Sequence, residues 1–167
     1  IVVLIMLDQS AAFDIVNHKI LLERMKSVFG IQGKALAWFQ SYLSNRKQAI
    51  LVDGISSAIY PLQTGVPQGS VLSPLLWIYY LGDCPCLQDP HIEIVLFADD
   101  IAIWVTNPNE NKNLSLFQKA ITDLTSWAAS KRLLFNSTKT HILAFHPDRN
   151  KRKAMQSRTI YLYKNQD

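Results

Sequence analysis

Cysteine is nearly absent from this 167-residue chain: two copies, Cys84 and Cys86, flank Pro85. Two thiols are too few for a zinc quartet, and a disulfide across a single residue would be strained. Disulfide scaffolds and zinc modules therefore drop out, and a reduced, intracellular setting is expected. The four histidines are scattered without ligand spacing. The longest apolar runs, residues 1–7 and 71–81, fall short of the roughly 20 residues a membrane helix needs, so no membrane partner is expected. Repeats and low-complexity tracts are missing, and no Gly-Lys-Ser/Thr marks a Walker-type phosphate loop. Nor does a Met or a charged leader precede Ile1, which stands inside an apolar run. The expectation is a piece of a longer polypeptide.

What is present suits a folded α/β mixture, with 49% hydrophobic and 18% charged residues. The net charge of +4 is unevenly placed. Residues 1–145 hold 11 Lys/Arg and 11 Asp/Glu, whereas residues 146–167 hold six Lys/Arg against two Asp. The basic run Arg149 to Lys153 reads as a solvated loop, with a binding site as the alternative. A high pI of about 9.1 therefore says little about partners.

Residues 1–7 (IVVLIML) form a β-branched and aliphatic run that predicts a buried strand. Helical spacing follows from about Asp14 to Gly30, and again over 34–43. Short strands are predicted at 48–52 and 59–62 around the turn Asp53-Gly54. The Gly/Pro-punctuated loop 64–70 opens into a helix over 71–81, with Ser70 as its N-cap and Pro74 in its first turn. Runs 92–97 and 101–105 predict a hairpin with Asp99-Asp100 at the turn. A helix over 114–129, a strand pair at 133–135 and 141–145, and a strand at 159–163 complete the pattern. Trp38, Trp77, Trp104 and Trp127 are expected in or near the core. The class is α+β, an antiparallel sheet with helices on one face.

Two apolar strands end in carboxylates: Asp8 closes the first run, and Asp99-Asp100 breaks the later one. A charge inside a β-run is costly unless paired or metal-bound. Acids from neighbouring strands can converge on hard cations, and two such ions can clamp the attacking and leaving oxygens of a phosphoryl displacement. The alternative is a pair of turn acids facing water. The segment Thr64 to Ser70 reads alone only as a tight loop before a buried helix, with Gly65 and Gly69 permitting unusual backbone or close approach.

Taken together, LDQSAAFDIVNH at 7–18, GVPQGSVLSPLL at 65–76, LFADD at 96–100 and Trp127 with LLFNSTKT to 140 resemble motifs A, B, C and D of reverse transcriptases. The likeness is to LINE-type (non-LTR), jockey-like retrotransposons, and it includes the linker WFQSYLSNRKQAILVDG. It implies a polymerase palm over 1–145, with fingers and thumb missing. Residues 146–167 would then be a basic loop and a strand leading towards the primer-grip region.

The resemblance further implies Asp8 and Asp99 as metal-bridging aspartates, with Asp100 beside them, on two Mg²⁺ ions or Mn²⁺ in their place. It implies Phe13 as the ring under the incoming sugar, Gln68 and Gly69 as the loop positioning the nucleotide, and Lys139 near the departing pyrophosphate. Core packing for Phe13 and an exposed loop for Lys139 are the simpler readings. Asp14 competes with Asp8 for the metal role but sits where a helix N-cap is predicted. Gln9 departs from the usual apolar residue. The implied activity is RNA-directed DNA polymerisation, with an RNA template, a DNA primer and deoxynucleoside triphosphates as partners, in nucleus and cytoplasm. The isolated piece would polymerise poorly. A catalytically inactive remnant that binds nucleic acid or protein, and a group II intron maturase or RNA-templated RNA polymerase, are the competing readings; Phe13 disfavours RNA synthesis.

Overall fold

The computed structural model describes residues 1–9, 11–85 and 89–156. Cys86 and the strand expected at 159–163 lie outside them. The chain forms two compact units, one of Ile1–Ser10 with Cys84–Asp167 and one of Ala11–Asp83.

In the first unit the initial apolar run becomes β1 (Val2–Leu7). The expected hairpin is β6 (Ile92–Phe97) with β7 (Asp100–Thr106), and β8 (His141–Phe145) follows later. All pair antiparallel in the order β6-β7-β1-β8. One face carries Val3, Ile5, Leu7, Ile101, Ile103 and Val105, all at most 2% exposed. Helix α4 (Glu110–Ser130) packs on the sheet through β7, β1 and β6. Its Phe117, Ala120, Ile121, Leu124 and Ala128 are buried. The other face leaves Met6, Phe97 and Phe145 exposed. A slip of one residue would turn the buried aliphatics of β1 to that open face, at roughly 1.5–3 kcal/mol for each side chain. The register is thereby held.

Three expectations change here. Helix α4 starts four residues early because Asn109 caps it, accepting from Lys112 N at 3.1 Å. Residues 133–135 and 141–145 do not pair with each other. Both attach to β1 or its end, the former through a single bridge between Phe135 and Gln9. Part of the basic stretch is a helix rather than a loop: α5 (Arg149–Gln156), started by Asp148, whose Oδ1 accepts from the backbone of Asn150 and Lys151. Its Met155 is buried.

The second unit is three helices and an extended hairpin. Helix α1 (His18–Ser27) packs against α2 (Gly33–Leu43) and α3 (Ser73–Leu81). Leu21, Met25, Leu43, Leu76, Trp77 and Tyr80 are buried. Arg24, 8% exposed, pairs with Asp83. Asn17, not Asp14, caps α1, accepting from Ile20 N at 3.1 Å; residues 11–14 form a turn first. Ser70 does not cap α3 either; Leu72 holds that position. Between α2 and α3 lie the short strands β2 (Lys47–Gln48), β3 (Leu51–Val52), β4 (Ile55–Ser56) and β5 (Tyr60–Pro61), paired around Asp53-Gly54. Trp38 is 53% exposed rather than core, stacked on Tyr42 at 5.6 Å.

Candidate active site

The site residues expected from the sequence divide between the units: Asp8, Asp99, Asp100 and Lys139 in the first, Phe13, Gln68 and Gly69 in the second.

In the first unit the last β1–β7 pair is Leu7 with Ile101. One residue beyond it stand Asp8 and Asp100, and Asp99 follows in the two-residue turn that joins β6 to β7. Asp100 itself is not at the turn but pairs with Phe97. Alternation puts Asp8 and Asp100 on the face of Met6 and Ala102, away from the α4 core. The turn is tight, and Ala98 takes a φ of +51° that alanine rarely adopts.

Asp8 is held from the loop after Phe135. Asn136 N donates to Asp8 O at 2.9 Å, and Lys139 Nζ stands 3.5 Å from Asp8 Oδ2. Asn136 also braces the loop, accepting from Thr138 N at 3.0 Å and, through its carbonyl, from Thr140 Oγ1 at 2.8 Å. In the sequence Asn136 shows only as part of a run of Asn, Ser and Thr, a turn signal that does not reveal its contact with Asp8.

Asp8 Oδ2 is buried yet accepts no hydrogen bond. Its charge is met only by Lys139 Nζ at 3.5 Å, which leaves the oxygen free to coordinate a cation directly. The donor chemistry of Asp8, Asp99 and Asp100 fits a hard divalent ion, and these are the residues that would hold it. Among the described residues no three His, Cys, Asp or Glu side chains are drawn into one coordinating group. Gln9, next to Asp8, is 3% exposed and its amide also lacks a hydrogen-bond partner.

In the second unit, the loop around Gly65 is laced to the segment after Ala12. Val66 N donates to Phe13 O and Gly65 N to Val16 O, both at 2.8 Å. His18 Nε2 meets Gly65 O at 2.7 Å. Gly65 has φ +88°, and a Cβ there would lie 2.9 Å from Asp14 O. Gly69 also has positive φ, in open surroundings. Phe13 is half-buried against Trp77, ring centroids 5.2 Å apart. Gln68 Nε2 donates to Asp14 Oδ1 at 3.0 Å, and Tyr42 Oη joins Ser70 Oγ at 2.8 Å. Asp14, Gln68, Arg46, Gln48 and Thr64 line a cavity of about 580 Å³.

The family model described as reverse transcriptase (RNA-dependent DNA polymerase) matches residues 2–162. The probable RNA-directed DNA polymerase from transposon BS of Drosophila melanogaster is 32% identical over 142 residues, 81% of this chain and 16% of the relative. The RNA-directed DNA polymerase from mobile element jockey of the same fly is 31% identical over 145 residues, 83% of this chain and 16% of the relative. The chain thus spans about one sixth of their length. Among solved structures, apo telomerase from Candida tropicalis, truncated from its C-terminal domain, superposes with a TM-score of 0.66 at 15% identity, over 89% of this chain and 31% of that one. Telomerase from Candida albicans in complex with a fragment of telomeric RNA gives 0.63 at 15% identity, over 86% and 28%. At that identity the likeness shows the shared α+β palm fold alone.

Proposed function

The chain belongs to the reverse transcriptase (RNA-dependent DNA polymerase) family, and on that premise we propose that residues 1–145 are the palm part of an RNA-directed DNA polymerase. The activity is transfer of a deoxynucleotide to a primer 3′-OH on an RNA template, in nucleus and cytoplasm. The observation that carries the reading is the common end of β1 and the β6–β7 hairpin, where the strand register sets Asp8 and Asp100 one residue past the last β1–β7 pair, with Asp99 in the adjoining turn.

Reverse transcriptases generally act with divalent cations, here Mg²⁺ or Mn²⁺, held by Asp8, Asp99 and Asp100. When bound, the ions supply Lewis-acid stabilisation of the attacking and leaving oxygens. The chain's own groups do the rest. Lys139, 66% exposed and within reach of Asp8, offsets negative charge or donates a proton to the departing pyrophosphate. Phe13, fixed against Trp77, presents a ring edge under the sugar that a ribose 2′-OH would strike. Gln68 and Gly69 seat the incoming nucleotide.

The test is primer extension by the full-length polypeptide on poly(rA)–oligo(dT) with dTTP and Mg²⁺. Extension is expected, and Asp99→Ala is expected to lower its rate by about a thousandfold or more. Extension that survives this change intact refutes the site.

A further inference from the structure

We propose that Asp14 is a positioning residue that fixes which way round the Gln68 side-chain amide faces, so that its Oε1 is presented to a hydrogen-bond donor on the incoming nucleotide. The inference rests on the role given to Gln68 above.

An ionised carboxylate only accepts, whereas a Gln amide donates from one end and accepts at the other. Gln68 Nε2 lies 3.0 Å from Asp14 Oδ1. Turning the amide over would set Oε1 against Oδ1, lone pair to lone pair. Asp14 therefore selects one of two otherwise equivalent orientations and commits Oε1 to the opposite direction.

The pair is held in place from outside. Asp14 and Gln68 are 54 residues apart, but the backbone on both flanks of Asp14 is tied to the residues just before Gln68, by Val66 N to Phe13 O and Gly65 N to Val16 O. The Gly65 backbone lies so near Asp14 that no side chain fits between them. The Asp14 carboxylate is not taken up in helix capping, since Asn17 does that work. Both side chains are exposed and open onto the cavity that Arg46 also lines. The exposed pair therefore faces the cavity, where a donor on a bound nucleotide could reach Gln68 Oε1.

The same primer-extension assay tests it in the full-length polypeptide, by titrating dTTP. Asp14→Asn, which can meet either end of the amide, should raise KM roughly five- to tenfold with kcat within about twofold, the worth of one hydrogen bond. Asp14→Glu, which keeps the acceptor-only group, should restore KM to within about twofold of wild type. In a Gln68→Ala background, Asp14→Asn should add no further loss. Unchanged KM in Asp14→Asn, a loss confined to kcat, or an equal extra loss without Gln68 overturns the positioning role. Asp99→Ala run alongside separates the two failures: if it abolishes extension while Asp14→Asn leaves KM unmoved, the polymerase reading stands and only this inference falls. Lack of extension by wild type takes both down.

Discussion

Gly65 meets two demands that no other residue type satisfies together. Its φ of +88° is left-handed, and the space where a Cβ would go is filled by the Asp14 carbonyl at 2.9 Å. Gly69 shares only the first demand. The conformational cost of Ala in this region is about 1–2 kcal/mol, and a backbone clash in a laced loop adds roughly 1–3 kcal/mol. Chemical denaturation should therefore show Gly65→Ala destabilising by about 2–5 kcal/mol and Gly69→Ala by only about 1–2 kcal/mol. Equal losses at the two positions would mean the close approach to Asp14 contributes nothing. The requirement for glycine was readable from the sequence, but its partner was not. Asp14 reads locally as a cap, and no short-range pattern announces a contact 54 residues away.

At the scale of elements, legibility followed how far each signal depends on neighbours. Strand β1 and the β6–β7 hairpin were plain because their apolar runs demand burial wherever they go. Helix α5 was hidden because a basic octet lacks an apolar face apart from Met155, and its helicity depends on partners elsewhere. Those partners are Asp148 at its start and Glu110, which Lys151 Nζ meets at 2.8 Å and His146 Nε2 at 3.4 Å. The Lys151 hydrogen bond is the main reason the Glu110 carboxyl sits below its ordinary 4.5, and in return Lys151 is raised above 10.5. Asp148 falls below 3.8, chiefly through the backbone N–H of Asn150 and then of Lys151. The signs decide the pH window. A depressed acid stabilises above its unfolded value and loses that contribution as pH falls through the folded one. A raised base stabilises below its unfolded value and loses the contribution as pH climbs through the folded one. Docking of α5 should hold between the two limits and loosen below about pH 4.5 and above about pH 10.5. Because these groups are exposed, the effect is local. Amide exchange in residues 149–156 is the measurement, and protection that is flat from pH 3 to 7, after correction for intrinsic rates, would contradict it.

At the scale of the whole molecule, charge limits what these 167 residues can hold by themselves. Basic and acidic residues balance over 1–145, and the surplus lies in 146–167, so residues 1–145 bring no net positive charge to a polyanionic duplex. Backbone charge dominates nucleic-acid affinity. The 167 residues alone should bind a primer–template only at the non-specific level, about 10⁻⁴–10⁻⁶ M at physiological salt, by fluorescence anisotropy. Nanomolar binding would show that this chain suffices. Fold class and the hairpin that carries Asp99 and Asp100 were legible at this scale; the place of β1 between β7 and β8 and the division into a continuous and a discontinuous unit were not, since both depend on which distant segments meet.

That division sets an order of events on the ribosome. The 11–83 unit is an unbroken stretch and can close as soon as it emerges. Strand β1, made before it, belongs in the middle of a sheet whose β7 neighbour is translated roughly a hundred residues later and whose β8 neighbour comes later still. At about 5–20 residues per second, its aliphatic row waits many seconds with both edges open. Over that interval the nascent strand is the segment most exposed to mispairing and the natural client for a chaperone.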